Sequence, residues 1–353
     1  MRTFTIGSTT ITDDSDAYVI AEIGHNHGGS LDKAEELFRR AAEAGATAAK
    51  LQKRDNRSLF TKHMYDQPYT GSNSYGPTYG LHREALEFGE AEYRHLAGIA
   101  REVGIDFFST AFDHASVDFL VDLDMPAIKL ASADITNTPL LAYAAKTGRP
   151  LIMSTGGASM DDVQRACDTV LPINPNVALL QCTAIYPATP QDLNLSVIET
   201  FRTVYPELAV GYSGHDEGPE LSWLAYGLGA RVIEKHFTLD RASRGTDHRF
   251  SLDPQQLKEL TAGLRRTRTA MGSRRKAVSA LESAAVLKMG KKLVAARDLH
   301  PGDVVRPEDI AVKSPGDGLK PYQLDDVVGS VVLHELRLDD DFSFDKLQRA
   351  DQP

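Results

Sequence analysis

His215 and His236 each stand at the end of an apolar run, and the two runs follow one another along the chain. A pair of neutral imidazoles suits a divalent transition metal, with metal–nitrogen distances of about 2.0–2.1 Å. Two protein ligands would leave positions for water and substrate, which is the arrangement of a catalytic centre. Taken singly, either histidine reads as a hydrogen-bonded rim residue; the pairing favours a metal. Lys50 and Lys129 also end apolar runs, where an ammonium is costly without an anionic partner. With Ser132, Ser154 and Ser213 they could cradle a compact substrate carrying phosphate and carboxylate. A Schiff base is the other chemistry open to them, and the histidine pair makes a metal-assisted route simpler. Ser154-Thr-Gly-Gly157 is expected to present backbone N–H groups at a helix start, a natural anion site. Glu22 closes the first apolar run, and Asp134 and Asp247 lie just beyond later ones. A carboxylate there could act as general base or bind substrate hydroxyls. Asp247 reads equally well as a loop cap, and His25 and His27 as solvated loop histidines.

The elements that must position these groups are short. Eight apolar runs recur in the first 240 residues: 18–22, 47–52, 106–110, 127–132, 151–155, 177–183, 208–213 and 232–236. Each has the length of a buried strand, and all but 47–52 carry the Val, Ile or Phe that favours one. Helical stretches lie between them. Ser30 can cap the first, with Ala34, Leu37, Phe38 and Ala41 on one face, and others fit 91–103, 160–171, 219–228 and 254–271. Eight strand–helix units predict an α/β fold, a (β/α)8 TIM barrel with its site at the C-terminal strand ends.

A barrel needs about 250 residues, so a chain of 353 predicts a further, smaller domain. Residues 1–273 are assigned to the barrel, with residues 1–17 as a hairpin closing its bottom through Phe4, Ile6 and Ile11. The stretch Asn56–Leu86, rich in Gly, Tyr and Ser, is expected to be a lid or rim loop. Residues 274–288 read as a basic helical linker, and 289–353 as a β-rich module too small to be robust alone.

Composition is ordinary, 42% hydrophobic and 25% charged, and the formal charge of −10 argues against a nucleic acid partner. Small anions are a different matter, because a few local lysines can dominate a cleft. There is no apolar stretch of about 18 residues and no signal-peptide core, so neither a membrane partner nor export is expected. The two cysteines, Cys167 and Cys182, suit a reducing cytoplasm, with Cys182 read as a small core residue.

Several motifs together resemble the sialic acid synthase family. They are Ala21-Glu-Ile-Gly-His-Asn-His-Gly28, Lys50-Leu-Gln52, Ser109-Thr-Ala-Phe112 and Lys129-Leu-Ala-Ser132. Ser154-Thr-Gly156, Cys182-Thr183 with Tyr186-Pro187, Tyr212-Ser-Gly-His215 and Glu234-Lys-His236 continue the series. The C-terminal module is similar to that family's antifreeze-like (SAF, β-clip) domain, including Pro301-Gly-Asp303 and Lys313-Ser-Pro-Gly316. The resemblance implies condensation of phosphoenolpyruvate with an open-chain hexose. Lys50, Lys129, Ser132, Ser154 and Ser213 would hold phosphoenolpyruvate, and His215 and His236 would hold Mn2+, with Mg2+ or Co2+ as alternatives. Gln52, Thr110, Phe112, Tyr186, Asp247 and Ser314 would face the sugar, and Glu22, with Asp134 as second choice, would manage protons. It also implies a domain-swapped homodimer, each C-terminal module covering its partner's site. Three departures bear on the acceptor: Ala184 and Ser314 replace the common Asn and Arg, and Asp134 replaces Glu. Loss of an amide and a bidentate Arg removes partners for an N-acyl group, so mannose joins N-acetylmannosamine as a candidate. A synthase acting on a shorter sugar phosphate and a non-catalytic sugar binder are the rival readings.

Overall fold

A computed structural model of the chain describes residues 2–349. It divides into two compact units, one ending at Gly272 and one beginning at Ser273.

The first unit opens with an antiparallel hairpin, β1 (Thr3–Ile6) and β2 (Thr9–Thr12). Eight strands follow: β3 (Tyr18–Gly24), β4 (Ala48–Lys53), β5 (Asp106–Ala111), β6 (Ile128–Leu130), β7 (Leu151–Ser154), β8 (Val177–Cys182), β9 (Ala209–Gly214) and β10 (Val232–His236). They form a closed barrel in chain order, β10 pairing in parallel with both β9 and β3. Both faces of these strands are buried, yet a period of two still sorts their side chains. Val19, Ala21, Leu51, Phe107, Leu130 and Leu179 join one core with the helix residues Leu37, Phe38 and Leu96. Tyr18, Ile20, Ala48, Phe108, Ile152, Leu180 and Val232 join another with Phe4, Ile6 and Ile11 of the hairpin, which plugs the bottom as expected.

One step further up the inward face of each strand, the residue type changes from apolar to polar. Ile20 gives way to Glu22, Ala48 to Lys50, Phe108 to Thr110, Ile152 to Ser154 and Val232 to Glu234. Fold and site are thus written on the same inward-facing register. Gly211 packs closely against the lower layer. A Cβ there would lie 2.3 Å from Leu180 Cδ2 and 2.4 Å from the Val232 carbonyl, so only glycine fits.

The first helix, Leu31–Glu43, is capped by the Ser30 side chain and buries Ala34, Leu37, Phe38 and Ala41, as the stripe predicts. Three expectations need correction. The rim stretch is not a plain loop, because Asp55, Thr61 and Thr78 cap short helices at Asn56–Leu59, Lys62–Asp66 and Tyr79–Glu84. The helix after Ser154 starts at Met160, as its periodicity predicts, capped by Ser159, so Ser154–Gly157 stands ahead of the helix start and not at it. Thr155 N–H and Gly156 N–H are already donated to Leu180 O and Ser132 Oγ, so they are not a free anion nest. The basic linker is helical only at Ser283–Met289, after a Ser279-capped 3-10 turn; Arg274-Arg275-Lys276 sets three like charges side by side and lies outside it.

In the second unit β11 (Lys292–Ala295) pairs with β12 (Ile310–Lys313), and β13 (Val331–Val332) with β14 (Leu347–Gln348), all antiparallel. Leu293, Leu299, Val305, Val332 and Phe342 fill a small core between them.

Candidate active site

The C-terminal ends of the strands open into a cavity of about 410 Å3. Its floor is a charged cluster. Glu22 and Lys50 are register partners on β3 and β4, and their side chains form a buried ion pair. Lys50 Nζ also donates to Thr110 Oγ1 at 2.7 Å, and Gln52 Nε2 donates to Glu22 Oε1 at 2.7 Å. Glu234 Oε1 lies between the two lysines, 3.9 Å from Lys50 Nζ and 3.8 Å from Lys129 Nζ, and accepts from Ser213 Oγ at 3.2 Å. Burial drives each group toward its neutral form, and the mutual attraction of unlike charges opposes it. For Glu22 burial dominates, with repulsion from Glu234 added, and its carboxyl is raised despite Lys50. Glu234 is also penalised by burial, but Lys129 and Lys50 outweigh this and hold it below the usual range. Burial lowers the Lys129 ammonium.

His215 and His236 face each other across one wall, ring centroids 5.4 Å apart, with Phe250 against both. His215 Nδ1 donates to the Thr183 carbonyl at 2.8 Å, which leaves Nε2 as the ring's free lone pair. His236 Nδ1 is buried without a hydrogen-bond partner among the described residues, 3.8 Å from Asp247 Oδ2. Burial lowers the His236 pKa, so the imidazole is neutral and able to ligate. The Tyr186 ring lies 4.0 Å from that of His215. Ser132, Ser154, Phe112 and Asp247 line the same cavity, and Ser154 Oγ is buried with no partner among the described residues.

Residues 37–276 match the NeuB family and residues 292–347 match the SAF domain. The chain belongs to the NeuB family. This NeuB-family chain is 40% identical to N-acetylneuraminate-9-phosphate synthase of Homo sapiens, across 92% of this chain and 90% of that one. It is 38% identical to N,N'-diacetyllegionaminic acid synthase of Legionella pneumophila, across 89% of each. Among solved structures, the N-acetylneuraminic acid (sialic acid) synthetase of Leptospira borgpetersenii superposes with a TM-score of 0.73 at 32% identity. That likeness covers 81% of this chain and 95% of that one.

Asp134 and Ser314, both singled out from sequence, each have a hydrogen-bond partner within their own unit. Asp134 is buried in a 3-10 turn, where it accepts from Asn137 Nδ2 at 3.0 Å and does not line the cavity. Ser314 belongs to the second unit, where it accepts from Lys291 Nζ at 2.6 Å. Ala184 borders a neighbouring cavity of about 420 Å3. His25 and His27 are not solvated loop histidines. His27 stacks on Phe88 at 4.1 Å, and His25 sits between the guanidiniums of Arg54 and Arg83, each 3.2 Å from one ring nitrogen. Burial, aided by those two arginines, holds His25 well below its ordinary pKa.

Arg54, Arg83, Cys182, Glu234 and Thr246 line the cavity without having been anticipated. Two had a signal: Glu234 precedes His236 by two residues, and Arg54 follows Gln52 by two, the spacing that keeps a strand residue on one face. Arg54 donates to Gln52 Oε1 at 2.6 Å and stacks on Phe112 at 3.7 Å. Arg83 comes from the rim helix Tyr79–Glu84, which no periodicity revealed. Cys182 is buried as expected, but its sulfur also faces the site, 3.9 Å from His215 Nδ1.

The two histidines fit a divalent cation: neutral, adjacent, with Nε2 of His215 free and Nδ1 of His236 unpartnered. Among the described residues no group of three or more His, Cys, Asp or Glu is arranged around a metal position. A cation held here would rest on the two imidazoles, with water and substrate completing its shell.

Proposed function

We propose that this chain condenses phosphoenolpyruvate with the aldehyde of an open-chain hexose, giving a nine-carbon 2-keto-3-deoxy sugar acid and phosphate. The observation that carries this reading is the convergence of Lys50 and Lys129 on one cavity with His215 and His236. A doubly charged phosphate beside a carboxylate needs fixed cations, and the two buried ammoniums supply them without reorganisation. Ser132, Ser154 and Ser213 add hydroxyls, and the unpartnered Ser154 Oγ is a donor awaiting an acceptor.

A divalent cation on His215 and His236, Mn2+ by preference, would supply Lewis-acid polarisation of the sugar aldehyde. C3 of phosphoenolpyruvate forms the new bond to the aldehyde carbon as its C2–C3 double bond opens; the aldehyde oxygen takes up a proton to become a hydroxyl, and C2 gains cationic character that the Glu22 and Glu234 carboxylates stabilise. Water adds at C2, giving up a proton to Glu22, whose raised pKa suits it to hold that proton. The C2–O bond to phosphate then breaks as the new C2 hydroxyl gives up its proton and becomes the keto group, and phosphate leaves on the lysines. Gln52, Thr110, Phe112, Tyr186 and Asp247 form the wall for the sugar. The acceptor is N-acetylmannosamine or a related hexose such as mannose. A domain-swapped homodimer, with Ser314 reaching the sugar end of the partner's cavity, belongs to the same proposal.

Phosphate release from phosphoenolpyruvate with mannose or N-acetylmannosamine, with Mn2+ and with a chelator, tests the reading. Sugar-dependent release abolished by the chelator is expected. Chelator-insensitive turnover would refute the metal role, and a strong preference for N-acetylmannosamine would remove mannose as the acceptor.

A further inference from the structure

Lys235 stands between Glu234 and His236 on β10, and its side chain takes the other face of the strand. That is the face on which Ile233 and, on β9, Tyr212 join the larger core with the helices. There Lys235 Nζ lies 3.0 Å from Asp216 Oδ1 and also donates to the Asp216 backbone carbonyl. The two side chains are 1% and 2% exposed. Tyr212 Oη donates to the same Asp216 Oδ1 at 2.6 Å. Gly214 leaves room for this contact, since a Cβ there would lie 2.5 Å from Asp216 Oδ1 and 2.6 Å from Tyr212 Cε1.

Such a pair is a poor source of stability, because desolvating the ammonium and the carboxylate offsets most of their attraction. Its place in the fold gives it another role. Ladder pairing between β9 and β10 stops at Gly214 and Lys235, so His215 and Asp216 lie beyond the last pair. Lys235 carries the tie past that point, from the residue before His236 to the residue after His215. On its other side His215 is held by Ala188 N–H, which donates to its carbonyl at 3.1 Å, and by the Thr183 carbonyl at its ring. We infer that Lys235, acting through Asp216 and Tyr212, is a positioning residue that fixes His215 relative to His236. The inference rests on reading the two histidines as one cation site. Two imidazoles share an ion only while both stay within about 0.5 Å of the binding geometry, and a tie between their chain neighbours supplies that constraint.

Lys235→Met alone would leave the Asp216 carboxylate buried without its counter-charge, so the test combines Lys235→Met with Asp216→Asn, a neutral pair of similar shape. This double variant should unfold at a urea midpoint close to the native one. In a titration followed by electron paramagnetic resonance it should nevertheless bind Mn2+ roughly 10- to 100-fold more weakly. Electron spin echo modulation, which counts nitrogens on the bound ion, should show two imidazoles in the native chain and fewer in the variant. Tyr212→Phe, which removes one donor to Asp216, should give an intermediate affinity. A folded double variant with native Mn2+ affinity and both imidazoles overturns the inference. So does a midpoint that falls in step with Mn2+ affinity while Tyr212→Phe is native in both, because the network would then be holding the fold and not the histidine. The tautomer of His215 is read without the cation, from nitrogen-15 spectra of labelled histidines in the metal-free chain. The native chain should show His215 as the Nδ1–H form alone, and the double variant should show a mixture. An unchanged His215 spectrum overturns the positioning role. If the tautomer shifts as stated but the native chain binds no Mn2+ through its histidines, the positioning role stands and the cation site falls.

Discussion

Glu22 and Lys50 are register partners on neighbouring parallel strands, and their side chains close into an ion pair that is 2% exposed on both sides. A pair so deeply buried contributes little net stability, because desolvation offsets most of the attraction. Its value lies in fixing a charged ammonium and a basic carboxylate under the cavity, held further by Thr110 and Gln52.

Breaking the pair should therefore cost both activity and stability. Glu22→Ala leaves the Lys50 ammonium with only Glu234, 3.9 Å away, as counter-charge, and should destabilise the barrel by about 3 kcal/mol. Glu22→Gln keeps the shape and should lower kcat by on the order of 100-fold with a smaller loss of stability. Urea unfolding and steady-state kinetics on the two variants check this. A Glu22→Gln enzyme with native kcat would remove Glu22 from the chemistry.

The raised pKa of Glu22 gives a signed pH dependence. Burial first, then Glu234, disfavours its carboxylate, so protonation sets in above 4.5, the ordinary glutamate value. As pH falls through that raised value the base is lost, and kcat/KM should fall with it. The acid limb of the kcat/KM profile should have its midpoint above 4.5 and should be missing from the residual activity of Glu22→Gln. An identical limb in the variant assigns it to another group.

Folding stability should respond to pH through histidines outside the cavity floor. Burial lowers His27 to about 3, and lowers His82 and His248 to about 4. The unfolded chain takes up these protons near 6.5, the folded chain only well below that. Their contribution is full above 6.5 and is lost as pH falls toward 4, at about 1.4 kcal/mol per pH unit for each histidine that stays neutral. Urea midpoints at several pH values across this window should fall steadily with acid, and His82→Gln should make the slope shallower. A flat profile would contradict the buried-neutral assignment.

Gly211 and Gly227 separate packing from backbone freedom. A Cβ at Gly211 would meet Leu180 Cδ2 at 2.3 Å, whereas one at Gly227 meets nothing within 4 Å. Gly211→Ala should cost about 1–3 kcal/mol by overpacking the barrel interior, and Gly227→Ala should be neutral or slightly stabilising. Thermal unfolding of both variants checks the contrast; equal midpoints would show that the interior can yield.

Much of this architecture was legible because one periodicity carries two messages. Alternation along β3, β4, β7 and β10 places Ile20, Ala48, Ile152 and Val232 in the lower layer and Glu22, Lys50, Ser154 and Glu234 above them. Glu234 and Arg54 are readable by the same step of two, one step before His236 and one step beyond Gln52. Arg83 was not readable, since its place depends on how a rim of short capped helices folds back over the barrel. The helix-start anion site at Ser154 failed for a local reason. Gly156 N–H finds Ser132 Oγ at 2.9 Å, a long-range hydrogen bond that no window of sequence contains. Asp134 looked like a rim carboxylate, yet the turn that follows β6 directs it to Asn137 at 3.0 Å.

The cation site has its own test. Mn2+ titrated into the metal-free chain and followed by electron paramagnetic resonance should bind at one site per chain. His215→Ala and His236→Ala should each weaken binding by at least about 10-fold, whereas Thr183→Val, which removes the hydroxyl donated to Asp192 O but keeps the carbonyl that holds His215, should leave Mn2+ binding unchanged. Unchanged Mn2+ binding in both histidine variants would place the cation elsewhere.

The central claim is a condensation in which phosphoenolpyruvate loses phosphate by cleavage of its C–O bond. Phosphoenolpyruvate labelled with oxygen-18 at the bridging oxygen, incubated with the hexose panel and Mn2+, tests it in a single mass spectrum. The predicted result is phosphate carrying the label together with a nine-carbon 2-keto-3-deoxy sugar acid. Unlabelled phosphate, or no sugar acid from any hexose or hexose 6-phosphate, would contradict it.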